Sequence, residues 1–301
     1  IPTPKSMVFV EDYIWTFHVP LFMFLSGYVY RLTGGWKAKG TRKNFLLHKL
    51  LNLGIPYFVF SSIYILINSV TSEVNNSSNI SDILILWRTP VAQYWFLYAL
   101  FFLFVIWSII PGGDSNLNLL LTTVCTIVSI IPLNFGIFAS SLEMALFFGL
   151  GTIINIQKIR EWPLKIKNAM IISQVLGAIC FLDIITKNAI TDKVFSIVGI
   201  IVSVAIVSII GKYNYADKCL LFLNKYSFPI YLLHTIFTAG LRIVLLKVGM
   251  TNYLLHVLLG IIVGIGIPIV GMNIIKNCDI LLFMFYPSSI LMRIKRKYTN
   301  D

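Results

Sequence analysis

Phe17-His18-Val19-Pro20-Leu21-Phe22-Met23-Phe24-Leu25-Ser26-Gly27-Tyr28 is apolar enough for a membrane interior, yet it carries a histidine, a proline and a Ser-Gly pair. Hydrocarbon offers no water to the carbonyl that Pro20 frees or to the imidazole of His18. Both must therefore find partners inside the protein, which makes the segment a site candidate as well as a span. With 3.6 residues per turn, His18, Phe22 and Ser26 share one helical face with Trp15 close by, and that face is expected to look into a helix bundle.

The rest of the chain agrees with a membrane setting. Of its 301 residues, 57% are hydrophobic and only 12% charged, and the mean hydropathy is +0.85. A soluble core cannot absorb so many long apolar runs, so a soluble enzyme is excluded. At about 20 apolar residues per crossing, spans are expected at 12–31, 50–70, 93–110, 117–132, 135–154, 168–186, 193–211, 227–247 and 253–273. The fold class is all-α: a polytopic integral membrane helical bundle with about nine spans. Cys125, Cys180, Cys219 and Cys278 have neither disulfide-framework nor metal-ligand spacing, and no metal site is expected.

The formal charge of +12 sits in short loops between apolar runs, which makes it a topology signal and not a nucleic-acid surface. If the first span enters from outside, the segments 31–49, 157–167, 212–225 and 276–297 gather most of the lysines and arginines in the cytoplasm. The N-terminus of the chain is then external, the C-terminus cytoplasmic, and the location the plasma (inner) membrane. Thr71–Asp82 is expected as a polar external loop and Ile83–Trp87 as interfacial. Residues 276–301 read as an inner-leaflet helix followed by a basic tail, Arg293-Ile294-Lys295-Arg296-Lys297, that favours anionic lipid.

Several other residues can carry chemistry. Ser227, Tyr231 and His234, spaced by four and three, lie along one face of a later span. The same spacing also fits two polar groups that merely bond to a neighbouring helix. Trp95 belongs either to a site or to an aromatic belt. Glu143, near the middle of its expected span, needs a partner. Lys37, Lys39, Arg42, Lys43, His48 and Lys49 form a basic cluster ahead of Ile55-Pro56-Tyr57; positive-inside topology and phosphate binding both account for it. His48 and His256 lie near loop ends and are expected to be solvated or interfacial.

The segment around His18 resembles the Phe-His-x-Pro-Leu-Phe-Phe-Phe-Leu-Ser-Gly-Tyr signature of the membrane acyltransferase-3 family, and in particular its fucose 4-O-acetylase-like polysaccharide O-acetyltransferases. Ser227-x-x-x-Tyr231-x-x-His234, Tyr94-Trp95-Phe96-Leu97 and the basic loop before Ile55-Pro56-Tyr57 are similar to further family segments. The resemblance covers essentially the whole chain as one transmembrane domain, 1–301, and implies a ten-helix bundle. It implies transfer of an acyl group, acetyl above all, from cytoplasmic acetyl-CoA to hydroxyls of a cell-envelope glycan or lipid-linked sugar. On that reading His18 and His234 are the catalytic candidates. Ser26, Tyr28, Trp95, Tyr231 and Glu143 are the substrate-binding candidates, and Arg42, Lys43 and Lys49 the coenzyme-binding ones. Family members open with a span bearing an arginine and, about ten residues on, a histidine regarded as catalytic. No such span precedes Ile1, so the chain reads as truncated at its N-terminus, and neither His18 nor His234 takes that histidine's place. A transporter or lipid-linked glycan flippase is the competing reading, since Pro-interrupted spans and intramembrane charges also line transport paths.

Overall fold

The computed structural model describes residues 5–70, 79–110, 114–172 and 189–299. Among these, the secondary structure is helical without strands: α1 (Lys5–Leu32), α2 (Arg42–Lys49), α3 (Ile55–Val70), α4 (Trp95–Trp107), α5 (Ser115–Ile130), α6 (Ala139–Ile153), α7 (Ile156–Glu161), α8 (Ala189–Ile210), α9 (Asn214–Lys247), α10 (Tyr253–Ile275), α11 (Asp279–Phe285) and α12 (Pro287–Thr299). Among the described residues, five helices are long and apolar enough to cross a membrane: Arg42–Ser69, Gly136–Ile153, Thr191–Ile210, Asn214–Lys247 and Tyr253–Ile275. Ala92–Trp107 and Ser115–Ile130 are apolar but shorter. Most of the span expected at 168–186 lies outside the described residues. The span expected at 50–70 begins earlier, because α2, a π-helical segment Leu50–Gly54 and α3 run on from one another. Half of the basic loop is thereby helical.

The chain divides into two compact units, one built from Thr3–Arg42 and Phe102–Leu221, the other from Lys43–Phe101 and Phe222–Asp301. In the first, α1 packs on α6 and α8, and α6 on α5. The buried residues of α1 are Pro20, Met23, Phe24, Gly27 and Tyr30, spaced by three and four as one helical face requires. Gly27 and Gly151 make the α1–α6 crossing possible. A Cβ on Gly27 would lie 2.0 Å from the Phe148 carbonyl oxygen, and one on Gly151 2.0 Å from that of Phe24. Backbone therefore meets backbone, the close approach that small residues permit in membranes. Tyr30, Phe104, Trp107 and Phe148 fill the space below, with the Tyr30 hydroxyl donating to the Trp107 carbonyl at 3.0 Å. Arg31 Nη1 donates to the carbonyl of Ile153 at 2.6 Å, placing a cation where the last carbonyls of α6 need both a donor and positive charge.

Pro20 has no N–H for the Thr16 carbonyl one turn earlier. That carbonyl is satisfied from another helix: the Oγ of buried Ser196 on α8 lies 2.6 Å from it. The demand read from the sequence at Pro20 is thus met inside the protein. The face expected to look inward is corrected, however. Trp15 is 61% and Phe22 53% exposed, because the glycine contact at Gly27 turns the adjacent stripe toward α6.

In the second unit the core consists of Tyr57, Phe60, Ile65, Leu86, Tyr94, Leu97, Tyr226, Leu232, Met272 and Phe285. Between α3 and α4 the described chain, 79–94, folds as two 3-10 turns, Ile80–Ile85 and Ala92–Tyr94, joined by irregular backbone. Tyrosines satisfy the carbonyls left over: Tyr57 donates to Leu86 at 2.6 Å and Tyr98 to Trp87 at 2.8 Å. Within the segment Ile83–Trp87 only Leu86 is fully buried and Ile83 packs against the core, whereas Leu84, Ile85 and Trp87 are 77%, 46% and 60% exposed. Of residues 276–301, the described part to Thr299 forms two helices in place of one, since the chain breaks at Tyr286 and restarts at Pro287, a residue suited to the first helical position.

Candidate active site

The polar interior of the second unit is assembled around the middle of α9. Pro229 interrupts the hydrogen-bond ladder of this 34-residue helix, and within the next two turns several polar side chains converge. The Tyr231 hydroxyl donates to the Gln93 carbonyl at 2.7 Å, and the Tyr94 hydroxyl to the Leu232 carbonyl at 2.9 Å. Gln93 Nε2 donates to Thr235 Oγ1. Ala92, immediately before, has φ 44°, a left-handed conformation that costs a non-glycine residue free energy. The strained turn sets Gln93 where both its backbone and its side chain meet α9. Phe96 and Phe228 flank the Tyr231 ring at 5.5 and 6.5 Å.

His234 lies on the same stretch of α9, half-buried. Its Nδ1 is 2.9 Å from the carbonyls of both Ile230 and Tyr231. A carbonyl only accepts, so these contacts place a proton on Nδ1, and in the neutral tautomer with that proton the lone pair is on Nε2. That is the tautomer a general base requires. Beside it, Gly264 on α10 allows close packing: a Cβ there would meet Thr238 at 2.9 Å and the Cβ of His234 at 3.6 Å.

His18, in the other unit, repeats the arrangement. Its Nδ1 is 3.0 Å from the Ile14 carbonyl, and its ring meets Trp15 edge-on at 4.8 Å. Ser26 donates to its own helix at the Phe22 carbonyl, 2.8 Å, and Tyr28 is half-buried. Glu143 is exposed on α6. It lies just past the first turn of α6, which begins at Ala139 after a 3-10 turn, and near the middle of the apolar stretch Gly136–Ile153. Trp95 is half-buried at the start of α4, beside Tyr94. Ser227 is exposed and bonds back to the Asn224 carbonyl at 2.9 Å, so the expected Ser227–Tyr231–His234 face turns inward only from Tyr231 on.

Among the basic candidates, Arg42 and Lys43 are exposed in the first turn of α2, and Lys49 is half-buried at its end, 5.4 Å over the Phe45 ring. His48 departs from expectation. It is half-buried, and its Nε2 lies 3.2 Å from Ser288 Oγ, while Asn52 Nδ2 lies 3.2 Å from its ring nitrogens. It belongs to a junction between α2 and α12 and not to a solvated loop end. Gln93, Thr235, Asn52 and Ser288 are the residues that the sequence reading missed. Asn52 stands alone between leucines, Thr235 follows His234 and Ser288 opens a Ser-Ser pair after Pro287; polar residues inside apolar stretches were the signal available.

A family model described as an acyltransferase domain matches residues 2–272. The chain therefore belongs to this acyltransferase-3 family, and the helices above are those of a membrane acyltransferase. No curated protein and no solved structure gives a match.

Proposed function

We propose that this protein is a membrane O-acetyltransferase that carries an acetyl group from cytoplasmic acetyl-CoA to a hydroxyl of a cell-envelope glycan or its lipid-linked precursor. The observation that carries the reading is the half-buried His234 on α9, whose Nδ1 is bonded to backbone carbonyls beside Tyr231, an arrangement that orients Nε2 as a base. In the transfer, Nε2 takes the proton of the acceptor hydroxyl, the oxygen attacks the thioester carbonyl, the C–S bond breaks and coenzyme A leaves as the thiol. Polar groups near the developing oxyanion lower the barrier; the Tyr94–Gln93–Tyr231–Thr235 cluster supplies candidates beside His234.

The donor reading rests on α2. Arg42 and Lys43 stand at the positive end of a helix dipole, the end where cations weaken the helix and where a bound anion is favoured. Phosphates of coenzyme A suit that position, with Lys49 further along the same helix. The substrate-binding roles of Ser26, Tyr28, Trp95, Tyr231 and Glu143 belong to the same proposal, and of these Tyr231 is the best placed beside a candidate base. Mass spectrometry of surface glycans from cells with and without the gene tests it. Loss of acetyl esters on deletion supports the reading. Intact esters together with blocked glycan export refute it in favour of a flippase.

A further inference from the structure

The last two helices present a surface that acyl transfer does not explain. On α12, Pro287, Ile290, Leu291 and Ile294 follow the spacing of a single apolar face. Pro287 and Ile290 are buried, whereas Leu291 and Ile294 are each 42% exposed. The apolar face thus continues past the edge of the packed protein. Arg293, Lys295 and Arg296 are exposed on the rest of the helix. The preceding α11 adds Ile280, 80% exposed, just beyond the exposed Ile274 near the end of α10.

The attached end of α12 is held firmly. Pro287 has no N–H to satisfy, so the first donor of the helix is the Ser288 N–H. Asn52 Oδ1 accepts both that N–H, at 3.2 Å, and the Ser288 hydroxyl, at 2.8 Å. A residue from a distant helix thereby performs the capping that the local sequence does not. Phe285 packs on Phe60 at 4.8 Å, and Arg293 pairs with Asp279 at 3.0 Å. The helix is fixed at one end and overhangs at the other.

Apolar residues that leave a membrane protein's packed edge beside the end of a spanning helix meet either lipid or a partner. Here the cations flanking the apolar strip decide the occupant. We propose that α12 is an arm that lies in the membrane interface at the end of α10 and binds anionic phospholipid, with Leu291 and Ile294 in the acyl boundary and Arg293, Lys295 and Arg296 among the headgroups. The surface and its test are independent of acyl transfer.

The test places a single cysteine at Ile294, with Cys125, Cys180, Cys219 and Cys278 replaced by serine, and attaches a polarity-sensitive dye. The protein is reconstituted into nanodiscs of phosphatidylcholine alone or with increasing phosphatidylglycerol. The expected result is a blue shift that grows with phosphatidylglycerol and reverses at about 0.5 M salt, where screening shortens to a few ångströms. Arg293→Gln with Arg296→Gln should raise the phosphatidylglycerol fraction needed, at about fivefold in affinity per cation removed. Identical emission in both lipids at every salt concentration overturns the proposal, whether the dye reports water or hydrocarbon. The salt series uses the parent charges, so it decides the matter even if the double variant fails to fold.

Discussion

Ser196→Ala should cost stability only because of Pro20. The hydroxyl donates to the Thr16 carbonyl at 2.6 Å and also lies 2.7 Å from the Asp192 carbonyl of its own helix. Its single proton is therefore shared, but only Thr16 loses its normal partner to a proline. Hydrogen bonds between membrane helices average about 0.6 kcal/mol and reach about 1.7. A carbonyl left without any donor in hydrocarbon is more costly than an average bond lost. The expected destabilisation is therefore near the upper end, about 1.5 kcal/mol. Pro20→Ala restores an N–H one turn after Thr16 and removes the need for Ser196, so in that background Ser196→Ala should cost about 0.5 kcal/mol or less, leaving a coupling of about 1 kcal/mol. Reversible unfolding of the four proteins in bicelles measures the cycle. Equal costs in the two backgrounds would refute the link between the proline and the serine.

Three further outcomes are expected. His18→Gln and His234→Gln keep a hydrogen-bonding side chain but remove the base; a catalytic histidine predicts normal insertion with a rate loss of about 10²-fold or more, whereas near-normal acetylation together with an unstable alanine variant assigns that histidine to packing. Gly151→Ala forces a methyl group against the Phe24 carbonyl and should destabilise the protein by about 1–3 kcal/mol, seen as a lower thermal midpoint in detergent; an unchanged midpoint would contradict the backbone contact. A cysteine at Ala38, in the basic loop expected inside, should resist an impermeant thiol reagent in intact cells and react after lysis, and labelling of intact cells would reverse the topology.

Much of the helical architecture was legible because hydrocarbon imposes a length and composition on every span. Pro20 also announced its consequence, since a freed carbonyl in lipid needs a donor, though nothing in one sequence could name Ser196, 180 residues away. The orientation of α1 was not legible. His18, Phe22 and Ser26 do share a face, but which face turns inward is set by Gly27 and Gly151, whose influence lies in what they lack. His48 was misread for a related reason. Its neighbours along the chain are basic and suggest solvent, while its partner Ser288 belongs to a helix near the other end of the chain. That Tyr231 and His234 share the inward stretch of α9 was legible because their spacing is local. Gln93 was not, because its role depends on a left-handed turn at Ala92 that no residue preference forecasts.

The bond between Thr16 and Ser196 bears on how the chain is made. A ribosome adding roughly 5–20 residues per second needs on the order of 10–40 s to cover the 180 positions that separate the two. For that interval α1 has emerged while the serine that completes it has not yet been synthesised. Until α8 arrives, the nascent α1 carries a Thr16 carbonyl without its Ser196 donor, a cost of about 1.5 kcal/mol that is removed by a helix encoded more than five hundred nucleotides downstream.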